Sequence, residues 1–95
     1  GTRLNGVETY YFGGEGQKLA AHVHLRMLSR LNPRNGNTRQ RQDLGVLKAT
    51  RCPAILVECG YISNPAEREK CLTAAYQENC ARAIVDGIWA YKTYR

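Results

Sequence analysis

The stretch A-I-L-V-E-C-G-Y-I-S-N-P, residues 54–65, decides the fold of the chain. Its unbroken apolar run predicts a strand at 54–58 that is covered on both faces, as in parallel α/β sheets. Such sheets bind ligands at the carboxyl ends of their strands, where Glu58 stands. Burial there would favour the neutral form of its carboxyl group, as a general acid/base requires. A structural role, with Glu58 bonded to a loop arginine such as Arg39 or Arg41, is the alternative.

The other elements follow from residue spacing and turn residues. A β-branched and aromatic run ending at Gly-Gly predicts the first strand, and an apolar stripe of helical period predicts the long helix after it. Asn64 and the proline after it predict a capped helix start, and the polar residues 32–42 predict a loop. The predicted strands are about 7–12, 44–48 and 54–58, and the predicted helices are about 15–31, 65–72 and 75–93. The fold class is therefore α/β, as part of a three-layer α/β/α domain with a mostly parallel sheet.

The length of the chain limits what it forms alone. Its 95 residues amount to one small domain at most. Three strands give a doubly covered strand few neighbours, and a chain of this length buries only a marginal core. Residues 1–95 are thus expected to be the second half of an α/β domain. We expect an isolated chain to associate with itself or to pair with the missing half.

The charge is basic, with a formal net charge of +6. This suits an anionic partner, although it also fits a domain that is merely kept soluble. A nucleic-acid binder is one alternative, but no recognised motif accompanies the basic residues, so no nucleic-acid partner is predicted. No apolar run approaches the roughly 20 residues that cross a bilayer, so no membrane span is predicted. The basic residues that cluster in the sequence are Arg34, Arg39, Arg41, Lys48 and Arg51.

Cysteine and histidine spacing gives no metal site. No C-x-x-C pair occurs, which argues against a zinc ribbon or a thioredoxin-like site. The cysteines have apolar neighbours, so buried free thiols and one or two disulfides both remain open. His22 and His24 are two residues apart on a predicted helix and project about 200° from one another, so they are expected to be surface or packing residues. The four cysteines are Cys52, Cys59, Cys71 and Cys80.

Four stretches resemble one enzyme family in order and spacing. The longest is V-L-K-A-T-R-C-P-A-I-L-V-E-C-G-Y-I-S-N-P-A-E at 46–67. The others are G-V-E-T-Y-Y-F at 6–12, Q-K-L-A at 17–20 and Y-Q-E-N-C-A-R-A-I-V-D-G-I at 76–88. Together they resemble the C-terminal half of the zinc-dependent N-acetylmuramoyl-L-alanine amidases of the type-3 family. One departure is N-G-N-T-R-Q-R-Q at 35–42, where the family usually has Arg-Gly.

The resemblance implies a reaction and its parts. These enzymes cleave the amide between N-acetylmuramic acid and the first L-alanine of the stem peptide. Glu58 matches the family's catalytic acid/base, which works with a zinc-activated water. The family's zinc ligands, two His and one Glu, are expected upstream of Gly1, so no metal ligand is expected in this chain and the isolated chain is expected to be inactive.

The resemblance also implies a setting. The partner would be peptidoglycan, and the location would be periplasmic or extracellular, at the cell wall. The alternative is a non-catalytic amidase-like domain that binds peptidoglycan or a partner protein.

Overall fold

The computed structural model describes residues 6–94, except for the side chain of Asn35. Within these residues the chain forms a three-stranded sheet and four helices, which confirms the α/β class. The predicted strands at 7–12 and 54–58 and all three predicted helices are confirmed to within one or two residues. In chain order the elements are β1 (Gly6–Tyr11), α1 (Glu15–Leu31), β2 (Asn35–Gln40), α2 (Gly45–Lys48), β3 (Ile55–Glu58), α3 (Pro65–Cys71) and α4 (Ala74–Tyr94).

The strand order is β2-β1-β3. β1 runs parallel to β2, with Val7 opposite Gly36, and antiparallel to β3, with Glu8 opposite Glu58. The described sheet is therefore mixed, and these three strands do not show the predominance of parallel pairing that was expected. The antiparallel pair brings the end of β3 to the beginning of β1.

Two predictions of secondary structure are wrong. Residues 32–42 are not all loop, because Asn35–Gln40 pairs along its whole length with β1. Pairing with β1 supplies the backbone hydrogen bonds, so polar and largely exposed side chains are tolerated there. Residues 44–48 are not a strand, because Gly45–Lys48 forms one helical turn. Leu47 is buried there and anchors this turn.

One face of the sheet is covered by α1 and α4. Val7 on β1 packs against Val23 and Met27 of α1 and Ala83 of α4, and all four are fully buried. On the same face, the hydroxyl Oγ1 of Thr9 lies 3.0 Å from Nδ1 of His24, so these two buried polar atoms form a hydrogen bond within the core. The two long helices and β1 therefore form the packed centre of the described chain.

The opposite face of β3 is open in the described chain. Ile55 and Val57 are half-buried, whereas Leu56 and Glu58 are exposed. The prediction that strand 54–58 is covered on both faces is therefore wrong for residues 6–94. The reason is that the described helices α1 and α4 pack against the Val7 side of the sheet, and alternate residues of a strand point to opposite faces.

The start of α3 is capped as predicted. The side-chain oxygen of Asn64 accepts hydrogen bonds from the backbone N–H groups of Ala66 (3.0 Å) and Glu67 (3.2 Å). Glu67 stands at the sequence position of a capping-box acid, but its carboxylate does not complete the box. It is buried and accepts a hydrogen bond from the backbone N–H of Gly6 at 2.9 Å, which ties α3 to the start of β1. No helix in residues 6–94 has the length and apolar character needed to span a bilayer.

Candidate active site

Glu58 is the last residue of β3 and stands directly opposite Glu8 of β1. Residues paired in this way point to the same face of a sheet, with Cβ atoms about 4.5–5.5 Å apart. Glu58 is exposed, so the expectation of apolar surroundings is wrong for the described chain. What the structure does place at this edge is a pair of carboxylates, one exposed and one buried.

Glu8 is the buried member of the pair, with only 10% of its side chain exposed. Its Oε1 accepts a hydrogen bond of 2.9 Å from the hydroxyl of Tyr61, in the loop that follows β3. Its Oε2 lies 3.2 Å from Nε of Arg39 on β2, an ion pair whose geometry falls short of a hydrogen bond. The carboxylate of Glu8 thus joins three segments: β1, β2 and the loop after Glu58.

Two tyrosines next to these acids have raised pKa values. Burial, and then the hydrogen bond to Glu8, raise the pKa of Tyr61 to about 12. Burial, followed by the charges of Glu58 and Glu8, raises the pKa of Tyr10. Both phenols therefore stay protonated at neutral pH and can donate hydrogen bonds. The charge of Glu58 acts on both tyrosines, so the four side chains share one electrostatic environment.

Arg39 and Arg41 are paired with acids other than Glu58. Arg39 pairs with Glu8, and Arg41 makes two hydrogen bonds to Asp43, at 2.8 and 2.6 Å. The hydrogen bond with Arg41 lowers the pKa of Asp43 to about 2. The structural alternative for Glu58, a bond to Arg39 or Arg41, is therefore not formed within residues 6–94.

The cysteines are free thiols, and they fall into two environments. Cys59, Cys71 and Cys80 line one apolar cavity of about 290 Å³ beside α4. Burial, followed by the charge of Cys59, raises the pKa of the Cys80 thiol to about 12. Cys52 is exposed, so the expectation that every cysteine packs as a small hydrophobe is wrong for this residue.

The histidines are packing residues, as predicted. His24 is buried against Thr9, and His22 is half-buried with Nδ1 lying 3.3 Å from a guanidinium nitrogen of Arg26. Across the part of the chain that the structure describes, no group of three or more His, Cys, Asp or Glu side chains is placed to hold a metal ion. The described residues therefore do not fit a zinc site.

The sequence predicts Glu58 as a site residue but does not predict the residues that surround it. Glu8 was part of a predicted strand, Tyr61 part of a motif, and Arg39 part of a basic loop. The available signal was an acid between Val7 and Thr9 in a strand whose neighbours point into the core. Period-two alternation places such an acid on the opposite face. Its partners depend on strand register, which the sequence alone does not show.

Comparisons with known proteins agree on one family. A family model described as N-acetylmuramoyl-L-alanine amidase matches residues 1–90. The chain is 34% identical over 90 residues to the probable cell wall amidase LytH of Staphylococcus epidermidis. That match covers 95% of this chain and 31% of LytH.

Solved structures give the same result. The N-acetylmuramoyl-L-alanine amidase from Clostridium difficile 630 superposes with a TM-score of 0.90 at 32% identity, covering 100% of this chain and 52% of the solved one. The CwlD amidase from Clostridioides difficile, solved in complex with the GerS lipoprotein, gives a TM-score of 0.93 at 26% identity, with coverage of 100% and 50%. The chain thus spans about half of each solved chain and a smaller share of LytH.

Proposed function

The chain belongs to the N-acetylmuramoyl-L-alanine amidase family, and we propose that the protein hydrolyses the amide between N-acetylmuramic acid and L-alanine in peptidoglycan. The observation that carries this proposal is the position of Glu58. It stands exposed at the carboxyl end of β3, in the motif that resembles the family's acid/base segment. A carboxylate so placed is accessible to a substrate and to water.

Glu58 is assigned the role of general acid/base. Its carboxylate would take a proton from the attacking water and then deliver that proton to the nitrogen of the leaving L-alanine. Positioned proton transfer of this kind contributes about 10²–10⁴-fold to rate. Tyr10, which stays protonated at neutral pH, would add a hydrogen-bond donor near this acid, whereas the proton of Tyr61 is already donated to Glu8.

Zinc is the cofactor that the family implies. It would polarise the amide carbonyl and supply an activated water. Since the described residues offer no ligand set for it, we assign the zinc ligands to residues upstream of Gly1, and no ligand to this chain.

The half-domain proposal is consistent with the coverage of the solved amidases, of which the chain spans about half. In the three-layer arrangement, the missing half would cover the open face of the sheet around Leu56 and leave Glu58 accessible at the carboxyl end of β3. Action on peptidoglycan, in the periplasm or outside the cell, is supported by relatives named as cell wall amidases.

The test is hydrolysis of purified sacculi by the complete, zinc-loaded protein, with release of stem peptides that have a free L-alanine amino group followed by mass spectrometry. Glu58→Gln should lower the turnover number at least about 100-fold, because the amide cannot carry the proton. Glu69→Gln, an equivalent change at an exposed acid of α3, should leave turnover unchanged. Binding to sacculi without peptide release by the wild-type protein would instead favour a non-catalytic binding domain.

A further inference from the structure

The cross-strand pair of Glu8 and Glu58 is unfavourable for the stability of the sheet. Like charges directly opposite each other on antiparallel strands are destabilising. Here both members of the pair in register are acids. Departures from local rules are expected mainly at functional sites, where the arrangement has another use.

Glu8 and Glu58 differ in their burial and in their contacts. Glu8 is buried and held by the Tyr61 hydroxyl and the Arg39 guanidinium. Glu58 is exposed. Tyr61 and Arg39 thus offset the charge of the buried Glu8, whereas Glu58 stays accessible.

The contacts of Glu8 reach the segment that carries Glu58. Tyr61 lies three residues after Glu58, and its hydroxyl bond to Glu8 fastens this loop to β1. Arg39 reaches Glu8 from the other side of β1. A displacement of about 1 Å in a catalytic group can cost about 100-fold in rate, so a fastening at this point has direct consequences for catalysis.

We propose that Glu8 is a positioning residue for Glu58: through Tyr61 and Arg39 it fixes the end of β3 and so the direction in which the Glu58 carboxylate points. This inference rests on the proposed amidase function. Glu8 itself does not transfer a proton. Its contribution is the geometry of the loop.

The test compares three variants of the complete, zinc-loaded protein. Glu8→Gln keeps an oxygen that accepts from Tyr61 but loses the charge that faces Arg39. Tyr61→Phe removes only the hydroxyl, and Glu8→Ala removes both contacts. We expect the turnover number to fall about tenfold in the first two variants and further in Glu8→Ala, with KM within about twofold of wild type. Glu78→Gln, at an exposed acid of α4 that pairs with Arg82, is the matched control and should be neutral.

A second readout does not depend on turnover. In NMR titrations with ¹³C-labelled tyrosine, the pKa of Tyr61 should fall from about 12 towards its ordinary value of 10 in Glu8→Ala. An unchanged Tyr61 titration would show that the contact with Glu8 is absent in solution and would overturn the proposal. Should Glu8→Ala not fold, Tyr61→Phe still decides the matter through its turnover number.

The outcomes separate this inference from the proposed function. If Glu58→Gln abolishes hydrolysis while Glu8→Gln and Tyr61→Phe keep wild-type turnover, the amidase function stands and the positioning role is wrong. A rise in KM at constant turnover number would also overturn the positioning role, because it would show that these residues bind substrate instead. If Glu58→Gln retains full activity, the assigned acid is wrong, and the positioning role is refuted along with it.

Discussion

Replacing Gly87 with alanine should destabilise the protein, even though alanine is the better helix former. Gly87 lies in the middle of α4, where this helix packs against α1. A Cβ atom at Gly87 would lie 2.4 Å from Cα of Val23, 2.8 Å from its Cγ2 and 2.9 Å from its backbone nitrogen. Because two of these atoms belong to the backbone, a change of rotamer cannot relieve the contact. The two helices must move apart.

The magnitude follows from two opposing effects. Alanine in place of a mid-helix glycine normally stabilises by about 0.5–1 kcal/mol. Forcing an extra carbon into a packed core costs about 1–3 kcal/mol, and a contact with backbone belongs at the upper end. Separating α1 from α4 also loosens the packing of Met27 and Ala83 in the core. We therefore expect a net loss of about 2 kcal/mol in the free energy of unfolding.

The assay is urea denaturation of wild type and variant, with Gly45→Ala as the control. A Cβ at Gly45, in the short helix α2, would meet no atom within 4 Å. That change should be neutral or stabilise by up to about 1 kcal/mol. If Gly87→Ala proves as stable as wild type, the close approach of α1 and α4 is not as described, and the reasoning from packing fails.

Two further predictions concern buried groups. Burial opposes ionisation of Glu67, but its ion pair with Lys70 and the hydrogen bond from the Gly6 N–H outweigh burial and lower its pKa. Its stabilisation should therefore be present above the unfolded-state pKa of about 4.3 and be lost as pH falls through the lower folded-state pKa. Glu67→Gln should cost about 1 kcal/mol at pH 7 and less near pH 3 in urea titrations; an equal loss at both pH values would contradict this. The second prediction is that thiol reagents at pH 8 modify exposed Cys52 at least about 100-fold faster than Cys80, whose burial and pKa of about 12 leave little thiolate. The fast phase should disappear in Cys52→Ser, and its persistence there would show that a buried thiol is the reactive one.

The elements that the sequence predicts correctly are those with strong local signals. The spacing of apolar residues defines α1 and α4, and Asn64 with its following proline marks the start of α3. The elements that it misses depend on tertiary contacts. β2 is polar and contains Gly36, so only its pairing with β1 makes it a strand. The four residues of α2 are too few to show a helical period.

In the candidate site, too, the sequence predicts the local features and misses those that depend on tertiary contacts. The position of Glu58 at the end of β3 is predictable because a strand end and a sequence motif are both local features. The predicted surroundings of Glu58 are wrong because an unbroken apolar run does not by itself require cover on both faces of a strand. In the described chain one face is covered, so Glu58 is exposed. Glu8 and Tyr61 are 53 residues apart in the chain and meet only through the register of β1 and β3.

The segment after Glu58 is fastened at successive points, which argues that its position matters more than its burial. The backbone oxygen of Cys59 accepts a hydrogen bond of 2.5 Å from the hydroxyl of Tyr76 on α4. Tyr61 bonds to Glu8, and the Glu67 carboxylate bonds to the start of β1. The role proposed for Glu58 needs such anchors, because the residues that support a catalytic group must hold it to within about 0.5 Å.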